Sequence, residues 1–146
     1  MIRRKDGTIL SDDGTRLDLS KQDARETDFH GVYLYGGDFS DSDLRGSDFR
    51  GAHLDGTDCY RANCSECDFT GALLEGVSLD RANLDNAIFV DARLVANNIG
   101  GGCSLCATDL RFTTMGNVML TGCIYDSLTL FPDGFDPIAR GMIRES

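Results

Sequence analysis

The chain has 146 residues, 41% of them hydrophobic, which suits one packed domain and excludes a disordered segment. Its net charge is −10, from 14 Lys and Arg against 24 Asp and Glu. That balance excludes nucleic acid and anionic membranes as partners, since both need a cationic surface, and points to a protein with a basic or apolar patch.

No apolar run approaches the ~20 residues that span a bilayer. The start, Met1-Ile2-Arg3-Arg4-Lys5-Asp6, lacks the apolar segment of a secretory signal, so the chain reads as cytosolic. Residues 1–26 hold six charges of each sign, which leaves the whole acidic excess to residues 27–146.

Residues 1–18 read as an N-terminal cap. Alternating flanks around Asp6-Gly7 are a hairpin signal, a second turn is expected at Asp13-Gly14, and the pair would close the lower end of the core. Residues 19–130 obey a different rule. A period of five begins weakly at Leu19 and Ala24 and locks at Phe29. From there every fifth residue is apolar through Leu34, Phe39, Leu44, Phe49, Leu54, Cys59, Cys64, Phe69, Leu74, Leu79, Leu84, Phe89, Leu94 and Ile99. A small residue generally stands two places earlier, and Asp or Asn often one place earlier, as at Asp28, Asp48 and Asp68.

Helices want apolar spacings of three and four, and flat strands want alternation; a period of five satisfies neither. It suits a chain that runs extended for a moment, turns a corner and repeats. Residues i and i−2 then face inward together. Glycine recurs two places after the apolar residue, as at Gly31, Gly51 and Gly71, where a corner of positive φ favours it.

These units resemble the pentapeptide-repeat family, whose motif is Ala, then Asp or Asn, then Leu or Phe, then two variable residues. The resemblance implies an all-β fold, a right-handed quadrilateral parallel β-helix with four units per coil and about five to six coils. Sorting by twenties supports it: Phe29, Phe49, Phe69 and Phe89 form one core column, and Leu34, Leu54, Leu74 and Leu94 the next. After Ile99 the register slips by one residue across Gly100-Gly101-Gly102, read as a bulge. It resumes at Leu105, Leu110, Met115, Leu120, Tyr125 and Leu130, with Leu110 and Leu130 continuing the Phe column. At ~4.8 Å per level the rod would be about 25 Å long.

Residues 131–146 read as a C-terminal turn and cap. Asp136-Pro137 is an N-cap and first-turn pair for a short helix through about Ile143. Phe131 and Phe135 would plug the upper end of the core. The ending Phe131-Pro-Asp-Gly-Phe-Asp-Pro137 also resembles that of cyanobacterial pentapeptide-repeat proteins.

Cys64-Ser-Glu-Cys67 and Cys103-Ser-Leu-Cys106 have the spacing of a zinc site. The register sets Cys64 and Cys103 two levels apart, on the order of 10 Å, too far for one tetrahedral metal; no metal or other cofactor is expected. Cys103 and Cys123 fall at inward positions of adjacent levels, roughly 5 Å apart and within disulfide range. In a reducing compartment buried free thiols are the expected state. His30 and His53 lie on different faces with no nucleophile spaced for a triad, and a core filled with Leu, Phe and Cys leaves no volume for substrate, so no catalytic residue and no enzyme is expected.

Candidate surface residues are the Asp28, Asp48 and Asp68 column, which Asp109 would resume after Ile88, and the outward apolars Ile88, Val90, Val95 and Phe112. Tyr33, Tyr35 and Tyr60 are outward near the start, an arrangement read as ordinary surface. The reading is a non-enzymatic, rigid, acidic scaffold for protein–protein interaction, with a monomer the favoured state. The alternative, implied by part of the resembled family, is a rod that imitates DNA and binds a type II topoisomerase, gyrase. The acidic excess is of the order of the ~15 charges on a duplex of that length, although here it is spread over all four faces.

Overall fold

The computed structural model describes residues 2–7, 9–11 and 16–146. The expected Asp13-Gly14 turn lies outside the described residues.

Each five-residue unit contributes one extended residue flanked by a turn. The Phe29 amide donates to the Asp48 carbonyl (2.8 Å) and the Asp48 amide to the Thr27 carbonyl (3.0 Å), so the polar residue before the apolar one sits in a ladder. The Val32 amide donates back to the Phe29 carbonyl (3.0 Å) and closes the corner. Parallel bridges twenty residues apart stack these units into four walls. Wall 1 runs through Asp18, Asp38, Asp58 and Ser78, and wall 2 through Asp23, Asp43, Asn63 and Asn83. Wall 3 runs through Asp28, Asp48, Asp68 and Ile88, and wall 4 through Tyr33, His53, Leu73 and Arg93.

The core lies between the walls. Phe29, Phe49, Phe69 and Phe89 stack with centroids 4.6–4.9 Å apart and planes within 10° of parallel. Leu34, Leu54, Leu74 and Leu94 are buried beside them. From wall 1, Phe39 reaches across and meets Phe29 and Phe49 edge-on at 6.0 and 6.4 Å. That reach requires Gly37 two residues earlier, because a Cβ there would come within 2.8 Å of the Phe39 ring. Inward hydroxyls are satisfied by the turns: Thr27, Ser42 and Thr57 donate to the carbonyls of Ala24, Phe39 and Leu54.

Glycine does not hold every corner. Asp41, Arg61, Glu66 and Arg81 adopt φ of 55–60° there, among ten non-glycine residues in the left-handed region within the described residues. Each costs roughly 1 kcal/mol, which a ladder hydrogen bond of similar net worth offsets.

At the lower end β1 (Ile2–Arg4) and β2 (Ile9–Ser11) form an antiparallel hairpin whose turn passes through Gly7 at φ 89°. β1 pairs antiparallel with β3 (Thr27–Asp28), so the hairpin covers the bottom of wall 3, and Ile2 enters the core at 5% exposure.

Three features depart from the sequence expectations. First, Ile99 is not a core residue: it is 92% exposed. Ser78 pairs with Ser104 and Arg93 with Met119, a step of 26 instead of 20, so one whole unit plus one residue leaves the walls. The excursion is closed by Asn97, whose amide donates to the Gly101 carbonyl (2.8 Å) and whose Oδ1 accepts from the amides of Ile99 (3.2 Å) and Gly101 (2.6 Å). A period of five cannot tell a stacked unit from one looped out. Second, the columns therefore rotate by one wall. Ile88 pairs with Thr114, so Met115 continues the Phe column, and Leu110 follows Leu84 in wall 2. Asp109 likewise stacks on Asn83 and does not resume the Asp28 column. A further extra residue before Thr129 makes Asp109 pair with Leu130, which turns outward at 42% exposure.

Third, no helix follows Asp136. Its carboxylate accepts from the amides of Ile138 and Ala139, one turn forms, and Gly141 at φ 75° ends it. The chain then enters β5 (Ile143–Arg144), which pairs parallel with β4 (Ile124–Tyr125) and adds a level to wall 1. Phe131 and Phe135 stack at 5.0 Å, Phe131 meets Tyr125 edge-on, and both pack against the upper core.

Candidate functional site

The outer walls carry the chemistry. Asp Oδ1 at the ladder position accepts the amide two residues on, as Asp28 does from His30, Asp48 from Arg50 and Asp68 from Thr70. This explains the motif locally: the carboxylate caps its own corner. Where the residue two places on is Arg, the pair becomes bidentate, as in Arg45–Asp43, Arg50–Asp48 and Arg111–Asp109. Each guanidinium holds its carboxyl below the usual range. The Asp48 charge is therefore largely matched, while Asp68 is capped by a threonine amide and hydroxyl.

Of the apolar candidates, Ile88 stands above Asp68 in wall 3, with Val90 two residues on. Val95 lies on wall 4 after Leu94. Phe112 sits at the corner leaving wall 2, 62% exposed, with Arg111 5.5 Å from its ring centroid. Ile88, Val90 and Val95 are half-buried. Thus wall 3 changes along its length, from Asp28, Asp48 and Asp68 to Ile88 and then Thr114, and Phe112 stands at the corner beside its upper part. The exposed Ile99 and Leu128 were not legible as surface residues, because each follows from an irregularity that the period conceals, while the exposed Ile138 and Ile143 lie beyond the repeats.

The cysteines separate by environment. Cys103 and Cys123, both fully buried, are joined as a disulfide with Cα atoms 4.6 Å apart, in place of the free thiols expected for a reducing compartment. Cys59, Cys64 and Cys67 are buried free thiols of one level. Burial pushes the Cys59 thiol up to about 12, and a hydrogen bond with Cys67 together with burial raises Cys64 well above the usual range. Cys106, half-buried, approaches Glu145 and accepts from Ser104, each at 3.5 Å. Among the described residues no group of three His, Cys, Asp or Glu side chains is arranged to hold a metal ion.

Two open depressions lie at the ends of the rod. One of about 260 Å³ is lined by Arg4, Lys5, Asp6, Asp23, Arg25 and Glu26, and one of about 440 Å³ by Asp126, Ser127, Leu128, Arg144, Glu145 and Ser146.

Stacked five-residue units around a dry core, with variable side chains outside, define a repeat solenoid. The family model described as "Pentapeptide repeats" matches in 8 copies over residues 15–51, 38–63 and 62–95, and the chain belongs to the pentapeptide-repeat family, with its right-handed β-helix. The match ends at residue 95, where the excursion leaves the walls. Among solved structures, the chain is similar to HetL, a pentapeptide repeat protein involved in heterocyst differentiation regulation from the cyanobacterium Nostoc sp. strain PCC 7120. The identity is 30% and the TM-score 0.53, over 83% of this chain and 49% of HetL. It is also similar to alr5209 from Nostoc PCC 7120, at 25% identity and TM-score 0.47 over 89% and 86% of the two chains. A fold likeness at 22% identity and TM-score 0.43, over 88% and 60%, extends to QnrB1, a plasmid-mediated fluoroquinolone resistance protein. The chain spans about half the length of HetL. No curated protein matches the chain by sequence.

Proposed function

We propose that the chain is a non-enzymatic, rigid, acidic scaffold whose outer walls bind another protein. The observation that carries this reading is wall 3, where Asp28, Asp48 and Asp68 climb a fixed ladder and give way to Ile88 and Val90. A filled core supports it, since Phe and Leu side chains at 3% exposure or less occupy the interior. Such a surface offers a basic partner long-range attraction and a short apolar contact.

The test compares the parent with an Ile88→Lys, Val90→Asp variant in capture from lysate of the source organism. Both side chains lie outside the core, so the melting temperature should stay within a few degrees. Retention of a specific partner should fall at least tenfold; a partner held equally by both proteins would remove this surface from the reading.

Gyrase is the alternative partner. Bidentate arginines on Asp43, Asp48 and Asp109 reduce the negative field that a DNA mimic would need. A supercoiling assay separates the two: inhibition of gyrase, or its protection from a quinolone, would favour the mimic.

A further inference from the structure

Wall 4 carries a feature used by neither the aspartate ladder nor the Ile88 surface. Tyr33 and His53 hold the same outward position in adjacent levels, and their rings stack with centroids 4.3 Å apart at 25°. Tyr35, two residues beyond Tyr33, faces the same way and completes the group. Its ring lies 5.9 Å from Tyr33 and 6.0 Å from His53, with its hydroxyl 3.3 Å from His53 Nδ1. Tyr33 is 68% and Tyr35 55% exposed.

The surroundings make these rings a platform. The corners on either side of wall 4 are glycines. A Cβ at Gly31, Gly51 or Gly56 would meet nothing within 4 Å, and one at Gly36 only the Arg16 side chain at 3.8 Å. At these corners the Arg16 side chain reaches in beside Tyr35, its Nε donating to the Gly36 carbonyl, while the Tyr33 side stays open to a flat group from solvent. Asp55 shares a level with His53 and Glu75 stands one level above. Asp55 accepts the Glu75 amide (2.9 Å) and Glu75 pairs with Arg93 (3.0 Å), which fixes both carboxylates along the platform's upper border.

We propose that the Tyr33–Tyr35–His53 platform binds an arginine side chain on a basic segment of the partner protein. An aromatic face attracts a cation placed over it, and a planar guanidinium stacks on a ring better than a compact ammonium does. The net charge of −10 brings a basic segment to the rod and disfavours an acidic one. Tyrosine also supplies contact area at low entropic cost and is enriched at the energetic centres of interfaces. The inference rests on the acidic-scaffold reading and assigns that scaffold a specific contact.

The probe is the peptide Ac-Gly-Arg-Gly-Arg-Gly-amide, titrated into the isotopically labelled chain at about 50 mM salt, where surface charges are weakly screened, with its Lys counterpart as control. Amide shifts should centre on Tyr33, Tyr35 and His53, and the Lys peptide should bind more weakly. Tyr33→Ala with Tyr35→Ala should cost about fivefold or more in affinity, the worth of two exposed cation–π contacts. Tyr33→Phe with Tyr35→Phe should stay within about twofold, because the ring faces remain. Binding that is centred on the Asp walls and indifferent to the Ala substitutions overturns the platform and leaves the acidic scaffold standing. No binding at all overturns both.

Discussion

At the scale of the residue, the ladder aspartates explain both the motif and its response to acid. Asp43, Asp48 and Asp109 each receive a bidentate guanidinium and an amide, and each ionises more readily folded than unfolded. A group whose folded pKa is depressed contributes stability above its unfolded value, near 3.9 for Asp, and loses it as pH falls through the lower folded value. Stability should thus be insensitive to these groups between about pH 5 and 7 and decline below about pH 4. The pairs are solvent-exposed, so each effect is small and only their sum should be visible. Replacing Arg45 and Arg50 by Gln should move the midpoint of acid unfolding to higher pH, followed by circular dichroism; an unchanged midpoint would show that the pairs are screened out. The rule that places these aspartates was readable in the chain, because a polar residue precedes nearly every apolar one. The company each one keeps across the wall was not: Asp109 neighbours Asn83 because residues 97–102, which lie between the two in sequence, leave the walls.

At the scale of the element, the Asn97-clamped excursion decides the register of everything above it. A step of 26 in place of 20 means that six residues are surplus to the walls. Removing residues 97–102 would place Leu105 five residues after Leu94 and Cys103 directly after Ala96, which restores the period without moving a core side chain. Closing a loop of this size differs from a direct connection by only about 1 kcal/mol or less. The deletion should therefore fold, with a melting temperature within about 5 °C of the parent. Failure to fold would show that the Asn97 clamp itself organises levels above Leu94. The same logic explains the C-terminal difference. Asp136-Pro137 does start a turn, but β5 gains parallel pairing with β4 and the chain stops being helical after one turn. Local capping chemistry was correct there, and an open edge of wall 1 overrode it.

At the scale of the whole molecule, the thiols report the assembled core. Cys59, Cys64 and Cys67 are sealed in one level, the Cys59 and Cys64 thiols with raised pKa values, Cys103 and Cys123 are bonded to each other, and Cys106 alone is half-exposed. Thiolate is the reactive form, so the native protein at pH 8 should label at Cys106 only. In denaturant without reductant four thiols should react, and with reductant all six. Rapid native labelling at Cys64 or Cys67 would contradict the stacking of the core, and six labels without reductant would show the disulfide unformed. The period of five by itself determined the walls, the dry Phe and Leu columns and the outward carboxylates, because each unit makes its own corner from its own atoms. Which unit stacks on which beyond Leu94, and where Ile99 and Leu130 point, were decided only by the tertiary structure. Stacking is a contact between residues 19–26 positions apart, and a single looped-out unit shifts every neighbour beyond it while leaving the local pattern unchanged.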